Sequence, residues 1–539
     1  MIKNYIILVI SLLIFNLGIA QDNLSDDKSK ITLLQTDYVK TSKQGQYLGV
    51  YKDKLYFCNI DKNNLTMSVY NTDLKIYKKY QEKLPDRYKK LKVSSIVRFE
   101  DEFCINTYFF NKELEKTIFF KEVLSIENLK IIHEFKKVKI IEGKYTKEVV
   151  IDSVKIGNTS IHVIKDNNYI DWTIVITENN NQKLTQNNRT VFNTKNLNKH
   201  HVYEDVTITN NKDYLIVTTR VYNSYDEAKK RIGSNYTVYN ENVKTKIKIN
   251  NYKCFITIIN LKATNANDLI VKSLEIKPID NAFIKSCSVE EVGLDSFLLT
   301  GVYAIGMNVN TKGVYSTIFT IADNNEIIIS NYYEFSEDFI MKYKGENEKE
   351  YMKLANSKGV PYDFFDYKNI KTFKLSDGGF VSIIEKRDEY NTRISYYVAG
   401  TYTSYPVFNR YNSDLYVSYI SPNGKVTEVL KIPKKQVTIS LEYGTFKRTT
   451  LVRYIDNNIV ILCNDYQKLN GSAARRLITF VVDESKSVKQ DIKYTYDYID
   501  KADLTLSDTW IDNYRMVSIA EKMAGKRKIV ITDFEYLLK

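Results

Sequence analysis

The chain is poor in the residues on which most catalytic chemistry depends. It has 4 histidines among 539 residues, so histidine-based acid–base catalysis has little material. No GxSxG, HExxH or P-loop pattern occurs, which removes the common hydrolase, zinc-peptidase and nucleotide-binding signatures. Five cysteines with no CxxC and no dense spacing exclude a disulfide scaffold and leave room for one bridge. Only 2 tryptophans are present, which argues against WD40-type repeats. Beyond the first twenty residues no run is apolar enough to cross a membrane. The net charge is +13, yet the lysines are scattered among acidic residues. A nucleic-acid reader would cluster them on one motif.

What is present begins with a secretory signal. Lys3 is followed by the apolar run YIILVISLLIFNLGIA, with Gly18 and Ala20 at the small-residue positions before Gln21. This reads as a signal peptide over 1–20. An exported chain follows, placed in the periplasm, at the cell surface or in the medium. Cys58, Cys104 and Cys463 sit inside apolar runs, where a free cysteine packs as a small hydrophobe.

Short runs rich in Ile, Val, Tyr, Phe and Thr alternate with Asn, Asp and Gly turns, which is a β pattern. The runs recur in a fixed order: an apolar strand, an alternating strand, a polar turn and another alternating strand. KDKLYFCNI, EDEFCINTYFF, LDSFLLTGVYA, SDGGFVSIIEK, DNNIVILCNDY and DNYRMVSIAEKM each open such a unit. Eight units of about 61 residues fill the chain from Lys54 on, somewhat longer than an ordinary propeller blade. The expectation is an all-β, β-propeller-like domain over 46–539, with eight blades or alternatively seven. The apolar strands should stand innermost. The segment 21–45 should hold a strand, within SKITLLQTDYVK, that closes the ring on the last unit.

Two insertions interrupt the repeat. In 336–366, Glu346 to Lys358 is rich in helix formers and ends at Gly359 and Pro361, which predicts a short helix. The short lead-in IKTFKL after it is expected at the outer edge of the preceding blade. In 387–413 a polar stretch crowded with aromatics reads as a long loop. The two insertions flank SDGGFVSIIEK at opposite ends and are therefore expected on opposite faces of the ring.

The stretch from about 335 to 482 resembles uncharacterised exported proteins of the Bacteroidetes. The resemblance is carried by Asp377 to Gly379 leading a strand to Glu385, the tyrosines between Tyr396 and Tyr411, Asp414 and the KIPKKQ segment from Lys431 to Gln436. It implies a periplasmic or surface setting and no particular activity.

Several apolar strands run into a polar residue: Asn59, Asn106, Thr300, Glu385, Asn464 and Glu521. Around a central channel such a set could hold a cation or a sugar hydroxyl; equally, each could bond to a neighbouring turn. Tyr402, Tyr405 and Phe408 offer flat rings suited to a glycan or a protein interface. KHHVYEDV brings His200, His201, Glu204 and Asp205 together. Adjacent histidines on a strand point to opposite faces and cannot share one ion, so the segment is expected as a solvated loop with no metal. No cofactor and no catalytic residue are assigned. These features point to a binding or scaffold protein of the cell envelope, engaging a protein partner or a glycan through Glu385, Asn464, Glu521, Tyr402, Tyr405 and Phe408. The alternatives are a polysaccharide lyase or glycosidase using Glu385 with Glu521, and a structural subunit of an envelope assembly.

Overall fold

The computed structural model describes residues 32–538 apart from 225–251 and shorter stretches, chiefly 143–148, 166–171, 264–269, 358–365, 441–449 and 495–502. The chain folds into eight sheets, built mainly from consecutive antiparallel strands and arranged as the blades of a β-propeller. Blade one runs Gln46–Tyr51, Lys54–Asp61, Asn64–Tyr70, Ile76–Lys83. Blade six runs Asp366–Lys374, Phe380–Val398, Thr401–Ile420, Val426–Ile432. Blade eight takes three strands from the C-terminal end and a fourth from the N-terminal end. Thr32–Gln35 pairs antiparallel with Lys526–Asp533, with Leu33 opposite Thr532. The two ends of the described chain thus lock the ring shut.

The apolar strands do not stand innermost. In each blade the innermost strand is the one before the apolar run. His200–Ile208, Ala282–Gly293, Asp366–Lys374 and Thr450–Ile455 pack edge to edge around the axis, and Gln46–Tyr51 meets Asp503–Trp510 where the ring closes. The physical reason lies in the surroundings of the second strand. It has a neighbour on each edge and a blade on each face, so nearly every side chain is enclosed. Tyr214–Tyr222 in blade four is buried at every residue after its first, while the innermost strand beside it is half-open. Ile76–Lys83, an outer strand, is almost entirely exposed. IKTFKL accordingly belongs to the innermost strand of its own blade six, not to the edge of blade five.

The core is a circle of clusters, each between two blades, in place of one central mass. Leu65, Met67, Phe103 and Ile105 join blades one and two. Ile383, Val417, Ile461 and Phe480 join six and seven. Leu55 and Phe57 meet Val517 and Ile531 across the closure. Blades four and five are further tied at their outer edges. Glu326–Ile329 leaves blade five and adds a parallel strand to Ile270–Pro278 of blade four.

The turn before the blade-six apolar strand uses Gly378 at φ +84°, a left-handed conformation open to glycine at little cost. Asp377 Oδ1 accepts from the Gly379 amide at 2.8 Å and fixes the turn.

Candidate functional site

The position of the apolar strand within its blade decides which loops share a face. Successive antiparallel strands reverse direction. The end of a second strand therefore lies on the same face as the start of the innermost strand. The connections from one blade to the next lie on that face as well. In blade six, Glu385 sits opposite Lys368 in the innermost strand. In blade seven, Asn464 lies one residue past the pairing of Cys463 with Thr450, and in blade eight Glu521 sits opposite Asp503, where its innermost strand begins. All three are on one face, and both insertions emerge there too. The expectation of opposite faces assumed that the apolar strand was innermost; moving it out by one position reverses that result.

The helical insertion forms two helices, α1 (Glu337–Met341) and α2 (Glu346–Ser357). Ser336 caps α1 by accepting from the Phe339 amide at 3.1 Å. On α2, Met352 and Ala355 are buried while Tyr351 and Leu354 are about half exposed, as is nearby Tyr343. A cleft lined by Phe339, Met341, Tyr343, Lys349 and Lys353 lies between the helices.

The second insertion is not a loop. It continues two blade strands into a hairpin, Phe380–Val398 paired with Thr401–Ile420. The innermost strand accompanies the hairpin only to Arg387. The eleven residues beyond that point extend about 35 Å at the usual rise of a strand. Gln436–Ser440 pairs with Phe408–Asn412 and widens its base. Alternating residues of a strand point to opposite faces. Tyr405 lies opposite Ile394, Tyr402 opposite Tyr397 and Phe408 opposite Asn391. In this register Tyr402 and Phe408 hold positions of one parity along the strand and Tyr405 a position of the other.

Glu385 explains why a buried strand ends on a carboxylate. It is 1 % exposed. Lys434, also buried, donates to Glu385 Oε1 and to Thr450 Oγ1. Thr450 Oγ1 donates to the same carboxylate oxygen at 2.6 Å, and Arg387 Nη2 stands 3.3 Å from Oε2. Burial pushes this carboxyl up, but Lys434 and Arg387 outweigh it and bring it down to about 2. The group is held ionised and internally paired, at the joint between blades six and seven. Its partner Lys434 comes from KIPKKQ. A second lysine of that segment, Lys431, is buried as well. It donates to the Ile340 and Lys342 carbonyls at 2.9 and 3.0 Å, at the C-terminal end of α1, and pairs with Asp414 at 3.4 Å. One short segment thus anchors both insertions.

From His200 on, KHHVYEDV is strand, not a solvated loop: His200–Ile208 is the innermost strand of blade four. Its Glu204 pairs with buried Arg220 at 2.7 Å, and Arg220 also reaches Asp366 of blade six at 3.4 Å and stacks on Tyr252. Asp205 accepts from Ser288 of blade five, and Ser288 Oγ accepts from Asn369 of blade six at 2.9 Å. Nearby Glu290 presents its side chain to solvent, yet enclosure by protein, reinforced by Asp205, pushes its carboxyl up to about 7. These inter-blade links escaped the sequence reading because each joins residues far apart in the chain. Among the described residues no group of His, Cys, Asp or Glu is placed to hold a metal ion.

No protein-family model and no curated protein matches the chain. Solved structures to which it is similar include the β-propeller domain of the Trilobed protease from Pyrococcus furiosus, at 10% identity over 83% of this chain and 94% of that one, TM-score 0.32. The AfRom2 CNH domain is similar at 10% identity over 94% and 99%, TM-score 0.33. The GH93 α-L-arabinofuranosidase of Fusarium graminearum is similar at 8% identity over 71% and 91%, TM-score 0.31. At these levels the likenesses carry no functional argument.

Proposed function

We propose that the protein is an exported, non-catalytic binding or scaffold protein of the cell envelope, and that its partner docks on the face carrying both insertions. The observation that carries this reading is the convergence of α2, with Tyr351 and Leu354 exposed, and the blade-six hairpin on one face of a closed ring. Loops and extensions on a rigid scaffold commonly carry binding. Exposed aromatic and aliphatic side chains beside paired charges favour a protein partner over a glycan. The catalytic alternative would use Glu385 with Glu521 as its acid and base. A glycosidase acid needs a raised pKa and access to substrate, whereas Glu385 is buried, ionised and bonded to Lys434.

Affinity capture from native envelope with the wild-type protein and with a Tyr351→Ser/Leu354→Ser variant tests the proposal. A defined partner that the wild type retains and the variant loses supports it. Equal capture by both moves the site elsewhere and overturns it. Turnover in a polysaccharide panel would replace it with the enzymatic reading.

A further inference from the structure

Two of the five cysteines lie together. Cys254 is on the third strand of blade four, Tyr252–Asn260, and Cys287 is on the innermost strand of blade five. Both are at most 4 % exposed and belong to the apolar cluster between these blades. The strands that carry them are held in register from both sides. Tyr252 Oη donates to the Ile284 carbonyl at 2.5 Å, and the Tyr252 ring packs on Phe283 with centroids 4.8 Å apart. Tyr315 Oη donates to the Ser286 carbonyl at 2.8 Å, and its ring belongs to the same cluster as both cysteines. Cys254 and Cys287 thus share one inter-blade cluster, and the neighbouring Cys254 together with burial holds the Cys287 thiol well above the ordinary thiol range. The other three cysteines lie in blades one, two and seven, away from this pair.

We propose that Cys254 and Cys287 form a disulfide that staples blade four to blade five. The oxidant is a disulfide, either a protein thiol oxidase or a small molecule such as oxidised glutathione. One cysteine thiolate attacks it to give a mixed disulfide and releases one thiol. The second cysteine then displaces the other thiol. Two S–H bonds are lost and one S–S bond forms, and the oxidant takes up both electrons and both protons as two thiols. Attack requires thiolate, and the buried pair disfavours it in the native ring, so the bond forms while the chain folds. Once made, it is shielded from reductant by the same burial. Its place suits the architecture, since these two blades already share the strand Glu326–Ile329 at their outer edges.

The test refolds the full chain from denaturant with oxidised glutathione, then unfolds it with an alkylating reagent, with and without prior reduction. The proposal expects five alkylated cysteines after reduction and three without, since five are present and two would be joined. Peptide mapping should show one crosslink, between the peptides of Cys254 and Cys287. The oxidised protein should melt at a higher temperature than the reduced one. A Cys287→Ser variant should lose the crosslink and that increment while Cys254 becomes alkylatable. Five alkylated cysteines without reduction, or a crosslink through Cys58, Cys104 or Cys463, overturns the proposal. The experiment is independent of the proposed partner, so either reading can fail alone.

Discussion

Lys434 and Glu385 form an ion pair with both side chains almost wholly enclosed, across the joint where the blade-six hairpin leaves the ring. Removing one member of such a pair leaves an uncompensated buried charge, which costs about 3–5 kcal/mol, whereas replacing both with apolar groups is often nearly neutral. Lys434→Met should therefore lower the urea midpoint sharply. A Glu385→Leu/Lys434→Met double variant should recover much of the loss. Equal destabilisation by single and double changes would mean that packing, not charge, dominates at this joint.

The same pair makes stability depend on acid. The Glu385 carboxyl sits at about 2 in the folded protein, against roughly 4.3 in an unfolded chain. A depressed carboxyl stabilises the fold at pH values above the unfolded value. That contribution is lost as pH falls through the folded one. Denaturation midpoints should thus decline between about pH 4 and 2. Glu385→Gln should flatten that part of the profile while being less stable at neutral pH. An unchanged slope would remove Glu385 as its source.

Ring closure rests on a short strand from the N-terminal end. Leu33 is buried in the cluster between blades seven and eight, and Thr36 exchanges hydrogen bonds with Ile529. Leu33→Ala should cost about 2–5 kcal/mol, as large-to-small core changes do. Deleting 32–36 should also expose the edge of Lys526–Asp533 and promote association. Calorimetry and light scattering would read both effects. A truncated protein that melts like the full chain would show that the closing strand is dispensable.

Cys58, Cys104 and Cys463 are buried. Burial pushes the Cys58 thiol up to about 12 and the Cys104 thiol up to about 11, so little thiolate forms at neutral pH. All three should resist iodoacetamide in the native state and react once the protein unfolds. Rapid native labelling monitored by mass spectrometry would contradict this packing.

The two sets of hairpin positions can be separated. If Tyr405 carries the interaction, Tyr405→Ser should weaken partner capture while Tyr402→Ser/Phe408→Ser leaves it intact, and the reverse holds for the other set. Each set should leave the melting temperature nearly unchanged. If either unfolds the protein, the rings of that set are structural cover.

The sequence by itself determined the class of fold. Alternation and turn residues mark each strand, and the recurrence of one unit marks a propeller of eight blades, because these signals are local. The helix over Glu346–Ser357 was legible for the same reason. Only the tertiary structure decided the radial place of each strand. An apolar run records enclosure, and it reads alike whether the strand stands first or second in its blade. That one-position difference put the helices and the hairpin on a single face. The Tyr-rich stretch read as a loop because its polar residues mask the alternation, and cross-strand pairing made it a hairpin. Glu385 stood out in the sequence as a carboxylate ending a buried strand. Its partner Lys434 lies 49 residues away and Thr450 belongs to another blade, so only folding could bring the countercharge to it.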